Sequence, residues 1–240
     1  MHVLNAGRWG AAAAVLAFAS ASAGGLHVAG RAGRTFVTAG APVGPGPEVV
    51  LVRTNADAAR AWHARGLRGR VVLHAGRFLH FVEESGSLLE LSRGPGSGRA
   101  WERVLLEAAG PRNHLWVAAA GGVARSVRYL SPPAALRVRL GAIGKAGSTL
   151  PLEVDDRAHP RWIDEEAPRL AEPVLVDVNA SWFDESGGEE LLALLRRAGM
   201  TTDLVTLSLA EGNDDVSEAA RARLRAFAAS LGAREERGIP

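Results

Sequence analysis

The sequence predicts an α/β domain with three α/β/α layers and a mostly parallel sheet. Short apolar runs rich in Val and Leu alternate with longer segments whose leucines recur at helical spacing. The clearest run lies within Pro173 to Asp184, where an apolar stretch opens directly into polar residues, as a buried parallel strand does at a sheet edge. Strands that alternate with helices typically pair in parallel, with helices on both faces of the sheet.

Composition limits the function classes. The chain has 240 residues, 47% of them hydrophobic, which is enough for one sizeable core. Its formal net charge is +2, and its basic residues are interspersed with acidic ones, so we expect no nucleic-acid partner. There are no cysteines, which excludes disulfides, thiolate metal sites and cysteine nucleophiles.

The amino-terminal region is typical of a secretory signal. Arg8 precedes an Ala-rich apolar stretch that ends in small residues, so we predict a signal peptide over residues 1–23 and an exported, periplasmic protein. The apolar stretch is too short to remain as a membrane span. The alternative is an ordinary Ala-rich helix in a cytoplasmic protein. Residues 24–47, rich in Gly, Ala and Pro, predict a flexible lead-in, and residues 48–240 a single domain.

The elements of the first half follow from apolar runs and helix-ending glycines. Asn55 is the expected cap of the first helix, and Gly66 its stop. Glycine-rich stretches over residues 86–98 and 141–149 predict loops. The predicted strands are 49–52, 70–74, 127–130, 136–140 and 152–154. The predicted helices are 55–65, 100–109 and 113–120.

The second half has clearer signals. The apolar runs 174–178 and 204–209 predict strands. Leucines at helical spacing predict a helix over 189–198, which Gly199 ends. Ser217 caps the last helix, whose apolar stripe continues to Leu231.

Polar residues at the end of the run beginning at Val174 predict a binding site. Asp177, Asn179 and Ser181 share one face, because side chains alternate along an extended chain. Ligands of open α/β sheets gather where parallel strands end in this way. A buried Asp177 needs a cation or hydrogen-bond donors, and we expect Arg77, Arg112 or a histidine against it.

Several separated segments resemble one enzyme superfamily. Val72-Leu73-His74-Ala75-Gly76-Arg77-Phe78-Leu79-His80 is similar to a strand reading Leu-Val-His-Ile-Asp-Ala-His-x-Asp, and Val176 to Phe183 to one reading Leu-Asp-Ile-Asp-Leu-Asp-Tyr-Phe. Asn113 to Trp116 resembles an Asn-Phe helix. Val52 to Trp62 resembles a His-x-x-Ala-x-x-x-Trp segment, with Asn55 near the histidine. These patterns are those of the ureohydrolase superfamily of arginases and agmatinases, in the branch that includes the peptide arginases.

The resemblance implies an arginase-like fold and two divalent ions that activate a hydroxide against a guanidinium carbon. Here Gly76, Phe78, His80, Asn179 and Ser181 stand where the pattern has ligands, and Asp177 is the one carboxylate retained in the two strand motifs. Two dications about 3.5–4 Å apart repel by roughly 16 kcal/mol at an effective dielectric near 20. One aspartate cannot offset this, so we expect a non-catalytic domain without a cofactor, binding an unknown small molecule or protein.

One alternative is a C–N bond hydrolase with a rearranged site, in which His74, His80 and Asp177 hold a single divalent ion. Otherwise His74 is structural. Glu211 follows a strand, where arginase-like enzymes have a glutamate that contacts the guanidinium; its alternative role is that of a solvated loop acid. The candidate vestigial pocket comprises Asn55, His74, Gly76, Phe78, His80, Asn113, Asp177, Asn179, Ser181 and Glu211.

Overall fold

The computed structural model describes residues 34–35, 47–78, 80, 106–130, 132, 153–155 and 169–236. These residues fall within one compact unit, Ala32–Pro240. The predicted signal peptide, the loops over 86–98 and 141–149, the strand over 136–140 and most of the helix over 100–109 lie outside the described residues.

Among the described residues, seven strands form one sheet in which every neighbouring pair is parallel. The strands are β2 (Glu48–Val52), β3 (Arg70–Ala75), β4 (Ala124–Leu130), β5 (Glu153–Asp155), β6 (Leu175–Asn179), β8 (Leu204–Ser208) and β9 (Arg234–Glu235). Their order across the sheet is β5-β4-β3-β6-β8-β2-β9, so β3 and β6 are adjacent near its centre. The α/β fold with a mostly parallel sheet is thereby confirmed.

A second, two-stranded pairing involves the predicted lead-in. There β1 (Arg34–Thr35) runs antiparallel to β7 (Thr201–Thr202), directly before β8. The lead-in therefore contributes at least one backbone pairing to the domain.

Four helices have the predicted positions. They are α1 (Asn55–Ala64), α2 (His114–Ala120), α3 (Gly188–Ala198) and α4 (Glu218–Ser230), and a 3₁₀ helix spans Ala180–Asp184. Gly199 ends α3 in the left-handed conformation, with φ 56°. In the part of the chain described here, no helix is long and apolar enough to cross a bilayer.

The expected cap of α1 was wrong. Thr54 is the N-cap, and its hydroxyl accepts a hydrogen bond from the backbone N–H of Asp57. The Asp57 carboxylate accepts in return from the backbone N–H of Thr54, which completes a capping box. Thr54 thus supplies the hydrogen-bond acceptor that the first turn of α1 needs. The Asn55 side chain is free of that role and makes buried hydrogen bonds with Asn179 and Ser208.

The sheet has a separate hydrophobic core on each face. Alternate residues of β3 divide between them, with Leu73 in the core that contains residues of α3 and α4, and Val72 in the core that contains residues of α1 and α2. The same alternation places His74 on the face of α1 and α2. That face carries the polar residues described next.

Candidate functional site

The candidate site lies at the carboxyl ends of adjacent parallel strands. In the strand register His74 of β3 is beside Asp177 of β6, and Asn179 of β6 is beside Ser208 of β8. These four side chains share a face, because Val72, Leu175 and Leu204 precede them at even spacing in the core of α1 and α2. The prediction that Asp177 and Asn179 share a face is therefore confirmed. Ser181 lies in the 3₁₀ helix after β6, so the alternation of an extended strand does not place it.

Four side chains form what we call the histidine–aspartate cluster: His74, His80, His114 and Asp177. Asp177 Oδ2 lies 2.6 Å from His74 Nδ1 and 3.0 Å from His114 Nε2. The three imidazole rings pack against one another, with centroids 5.2 to 5.6 Å apart. Each of the four residues is at most 3% exposed. The cluster thus gathers three bases and one carboxylate away from solvent.

The chain reverses after β3 to bring His80 into this cluster. His80 has φ 52°, a left-handed conformation that is uncommon for residues other than glycine. Its Nδ1 lies 3.4 Å from the Asn55 amide nitrogen. His74 and His80 could not meet along one extended strand. The change of chain direction after β3 is what brings their rings into contact.

Burial sets the charge state of the cluster. Burial, then the neighbouring His114 and His74, lower the pKa of His80 well below its usual value. Burial likewise lowers the pKa of His114, although Asp177 opposes the change. Burial alone would raise the pKa of Asp177, but hydrogen bonds from His114 and His74 outweigh it and hold that pKa below its usual range. At neutral pH, His80 and His114 are therefore neutral and Asp177 is charged.

The predicted partner of Asp177 was an arginine or a histidine, and the histidine is confirmed. The two arginines named as alternatives were wrong. Arg77 lies 3.5 Å from Glu185, and Arg112 lies 3.7 Å from Asp215. Both arginines are about half exposed, so their guanidinium groups keep the solvent that a buried pairing with Asp177 would remove.

A second group, the amide–hydroxyl network, comprises Asn55, Asn179, Ser181 and Ser208. Asn55 Oδ1 accepts from Asn179 Nδ2 and from the Ser208 hydroxyl, each at 2.7 Å. Its own amide donates to the Pro111 carbonyl at 2.6 Å. Asn179 Oδ1 accepts from the Ser181 backbone N–H at 2.8 Å. This network is neutral and buried, and it binds α1 to the ends of β6 and β8.

Gly76 and Phe78 contribute through their backbone. A Cβ on Gly76 would lie 3.1 Å from the Cβ of Asn179 and 3.2 Å from His74 Nε2, so any larger residue crowds both groups. The Phe78 carbonyl lies 2.9 Å from His74 Nε2. The Ser181 hydroxyl accepts from the Arg77 backbone N–H at 2.9 Å, which ties the turn after β3 to the end of β6.

Two predicted pocket residues make their contacts elsewhere. Asn113 holds the loop before α2: its Oδ1 accepts from the Gly110 N–H at 2.7 Å and its Nδ2 donates to the Ala108 carbonyl at 3.1 Å. Glu211 lies 2.7 Å from Arg53 in a partly exposed ion pair. Neither residue belongs to the two groups defined above.

Sequence reasoning missed His114, although a signal was available. Within α2 it is the one polar residue among six apolar ones, and the helix is buried over most of its length. A polar side chain on such a helix needs a buried partner. Thr206 and Ser208 were missed in the same way; they occupy alternate positions of a buried strand, and Thr206 accepts a 2.7 Å hydrogen bond from Trp62 Nε1.

Comparison with known proteins gave no match to this chain among protein-family models, curated proteins or solved structures. These comparisons therefore assign no family to the chain.

Proposed function

We propose that this chain is a ureohydrolase-like domain that has lost two-metal catalysis and serves as a scaffold for the fold or for a ligand or partner. The observation that carries the proposal is the amide–hydroxyl network. Asn179 and Ser181 stand at positions where the resembled motifs carry metal ligands. Asn179 is joined to Asn55 and to the Ser181 backbone N–H by neutral hydrogen bonds at 2.7 and 2.8 Å. A neutral network of this kind needs no cation to hold it together.

The spatial relation of the two motif segments supports the resemblance. His74 and Asp177 are register partners on adjacent parallel strands. The turn after β3 is bound to the 3₁₀ helix after β6 through the Arg77 N–H and the Ser181 hydroxyl. Segments that supply ligands to one two-metal centre must meet in this way.

The balance of charge argues against two ions. Within the histidine–aspartate cluster and the amide–hydroxyl network together, Asp177 is the one carboxylate. Two dications bring four positive charges, and amide or hydroxyl groups do not neutralise them. The Gly76 backbone, lying against Asn179 and His74, also leaves no room for a carboxylate at that position without displacing them.

Burial favours a scaffold over a substrate site. Asn55, Asn179 and Ser181 are at most 1% exposed. A guanidinium substrate could touch them only after the strand ends separate. Their hydrogen bonds instead fix α1 against the sheet, which is a contribution to the fold.

Urea release tests the proposal. The purified full chain would be incubated with Mn²⁺ and with arginine, agmatine or a peptide bearing arginine, beside Asp177→Asn as the matched control. We expect equal background from both proteins, because neither assembles two ions. Release by the wild type that Asp177→Asn abolishes would refute the loss of catalysis.

A second candidate function is a C–N bond hydrolase with one metal ion. It is favoured by the convergence of His74, His80 and Asp177. Strand pairing sets Asp177 beside His74, and the turn after β3 brings the His80 ring against the His74 ring. This function predicts that His80→Ala and Asp177→Ala each abolish both metal binding and urea release. Activity that survives both substitutions would exclude it.

A further inference from the structure

Three atoms of the histidine–aspartate cluster are buried without a hydrogen-bond partner among the described residues: His80 Nε2, His114 Nδ1 and Asp177 Oδ1. A buried polar atom without a partner destabilises the fold, because it has lost its hydrogen bonds to water and gained none in the protein. The four packed titratable side chains thus include two ring nitrogens and one carboxylate oxygen that make no hydrogen bond within the described residues. Of these three atoms, His80 Nε2 is the one that a ligand held between the packed rings would satisfy.

The outer contact of His74 specifies how its ring could bind that ligand. His74 Nε2 lies 2.9 Å from the Phe78 carbonyl, which can only accept a hydrogen bond, so Nε2 carries the proton. Nδ1 faces Asp177 Oδ2 at 2.6 Å, so it is the ring atom that would bind an ion shared with that carboxylate. Histidine ligands of metal ions usually donate their other ring N–H to a carbonyl or carboxylate in this manner.

The donor set selects the class of ligand. His74, His114 and Asp177 each offer one ligand atom, and these atoms all lie within 4.8 Å of one another. An anion is disfavoured, because the Asp177 carboxylate lies at the centre. Imidazole nitrogen with one carboxylate oxygen suits zinc and related transition metals, whereas magnesium and calcium prefer oxygen ligands. Complete burial corresponds to a closed structural site.

We propose that His74, His114 and Asp177 bind one zinc ion in a closed structural site, with His80 as the fourth ligand. Zinc bonds of about 2.0–2.1 Å place neighbouring ligand atoms roughly 3.3 Å apart in a tetrahedron. The present separations of 2.6 and 3.0 Å from Asp177 Oδ2 reach that value through small side-chain shifts. The ion replaces the protons shared in those two contacts and gives His80 Nε2 a partner.

This inference does not depend on the absence of two-metal catalysis. A single dication with one carboxylate and three neutral imidazoles avoids the repulsion between two ions, so it is compatible with the neutral amide–hydroxyl network. Urea release would refute the proposed function and leave the zinc site untouched. Failure to retain zinc would refute the site and leave the proposed function untouched.

The direct test is metal content of the tag-free full chain. The protein would be loaded with Zn²⁺, dialysed and measured by plasma mass spectrometry, and zinc X-ray absorption would report the ligands. We expect one zinc per chain with only nitrogen and oxygen neighbours, including imidazole scattering. A folded wild type that retains no zinc, or a spectrum without imidazole, overturns the proposal.

Variants test the ligand assignment. His74→Gln and His114→Gln should each weaken zinc binding at least ~100-fold in competition with a chromophoric chelator, since loss of outer contacts alone costs about 10–100-fold. His80→Gln should weaken it as well. His63→Gln is the matched control, because His63 lies near the end of α1 and outside the cluster. Unchanged affinity in the His74 and His114 variants overturns the site.

A measurement on the wild type guards against variants that fail to fold. Cobalt(II) substitutes for zinc and gives intense visible absorption in a four-coordinate site. We expect these bands at one equivalent of Co²⁺ and their loss on adding one equivalent of Zn²⁺. Bands that are absent, or that zinc does not displace, overturn the proposal even if every variant is insoluble.

Discussion

The two faces of the sheet are stabilised in different ways, although the same strands build both. On the face of α3 and α4, β3 and β6 contribute apolar residues such as Leu73 and Val176. On the face of α1 and α2, the same strands contribute His74, Asp177 and Asn179 beyond the apolar Val72 and Leu175. Apolar packing adapts to modest changes in shape, but a buried polar group loses stability sharply when its partner is removed. The polar face should therefore be the more sensitive one.

The largest expected effect is the loss of the charge at the centre of the cluster. Asp177→Ala leaves His74 and His114 without their shared acceptor and should lower the free energy of unfolding by about 3–5 kcal/mol. Urea unfolding at neutral pH with a chelator present measures this. Leu73→Ala on the opposite face is the matched control, and it should cost about 2–5 kcal/mol through its cavity.

The two losses differ in how a conservative replacement restores stability. Leu73→Met should recover most of the loss, since volume is what that face requires. Asp177→Leu should not recover it, because two buried imidazoles still lack an acceptor. Full recovery by Asp177→Leu would contradict the contrast between the faces.

The second prediction concerns acid sensitivity of the metal-free protein. The pKa values of His80 and His114 are lowered in the fold, so below about pH 6.5 the unfolded chain binds protons that the folded chain does not. Stability is therefore fully present above that pH and falls as the pH decreases, by up to about 1.4 kcal/mol per pH unit for each histidine. The lowered pKa of Asp177 adds a further loss below about pH 4.

Unfolding free energies measured from pH 7.5 to pH 4.5 check this slope. The slope is set by the number of protons taken up on unfolding, and His114→Gln should lower that number by about one. Leu73→Ala should lower the free energy of unfolding equally at every pH and leave the slope unchanged. A slope that is the same in the wild type and in His114→Gln would show that His114 does not carry the acid sensitivity.

Much of the fold could be predicted because short apolar runs rich in β-branched residues, bounded by Gly or Pro, favour buried parallel strands. Val174 to Val178 illustrates this, as does the end of α3 at Gly199. The cap of α1 could not be decided by residue type, since Thr54 and Asn55 are both good caps. The spacing from Thr54 to Asp57 was the deciding signal, because it matches the geometry of a capping box.

The site was only partly predictable. Alternation along β6 correctly placed Asp177 and Asn179 on one face, and register then set His74 beside Asp177. His114 and the turn that returns His80 depend on contacts distant in sequence, which one strand's pattern does not encode. Arg77 and Arg112 were expected near Asp177 on charge alone, yet desolvating a guanidinium costs several kcal/mol, and the buried His74 and His114 rings already supply hydrogen-bonding nitrogens to Asp177.

The third prediction tests the neutral part of the polar face. Asn55→Ala removes the acceptor of Asn179 Nδ2 and of the Ser208 hydroxyl and should cost about 2–3 kcal/mol. Most of the loss should be independent of pH between 5 and 8, since Asn55 does not titrate and its one contact with the cluster is the 3.4 Å approach of its amide nitrogen to His80 Nδ1. Comparison with the His114→Gln curve separates the two groups; a pH-dependent loss would mean that the network and the cluster act as one unit.

The smallest expected effect comes from Thr54→Ala. Thr54 and Asn55 lie side by side at the start of α1, but Thr54→Ala leaves the amide–hydroxyl network in place. It removes the hydroxyl that accepts from the Asp57 N–H and should cost about 1 kcal/mol, as helix caps typically do. Urea unfolding of both variants, followed by circular dichroism, gives the comparison. If Thr54→Ala costs as much as Asn55→Ala, the fixing of α1 depends on its cap, and the buried hydrogen bonds of Asn55 add little.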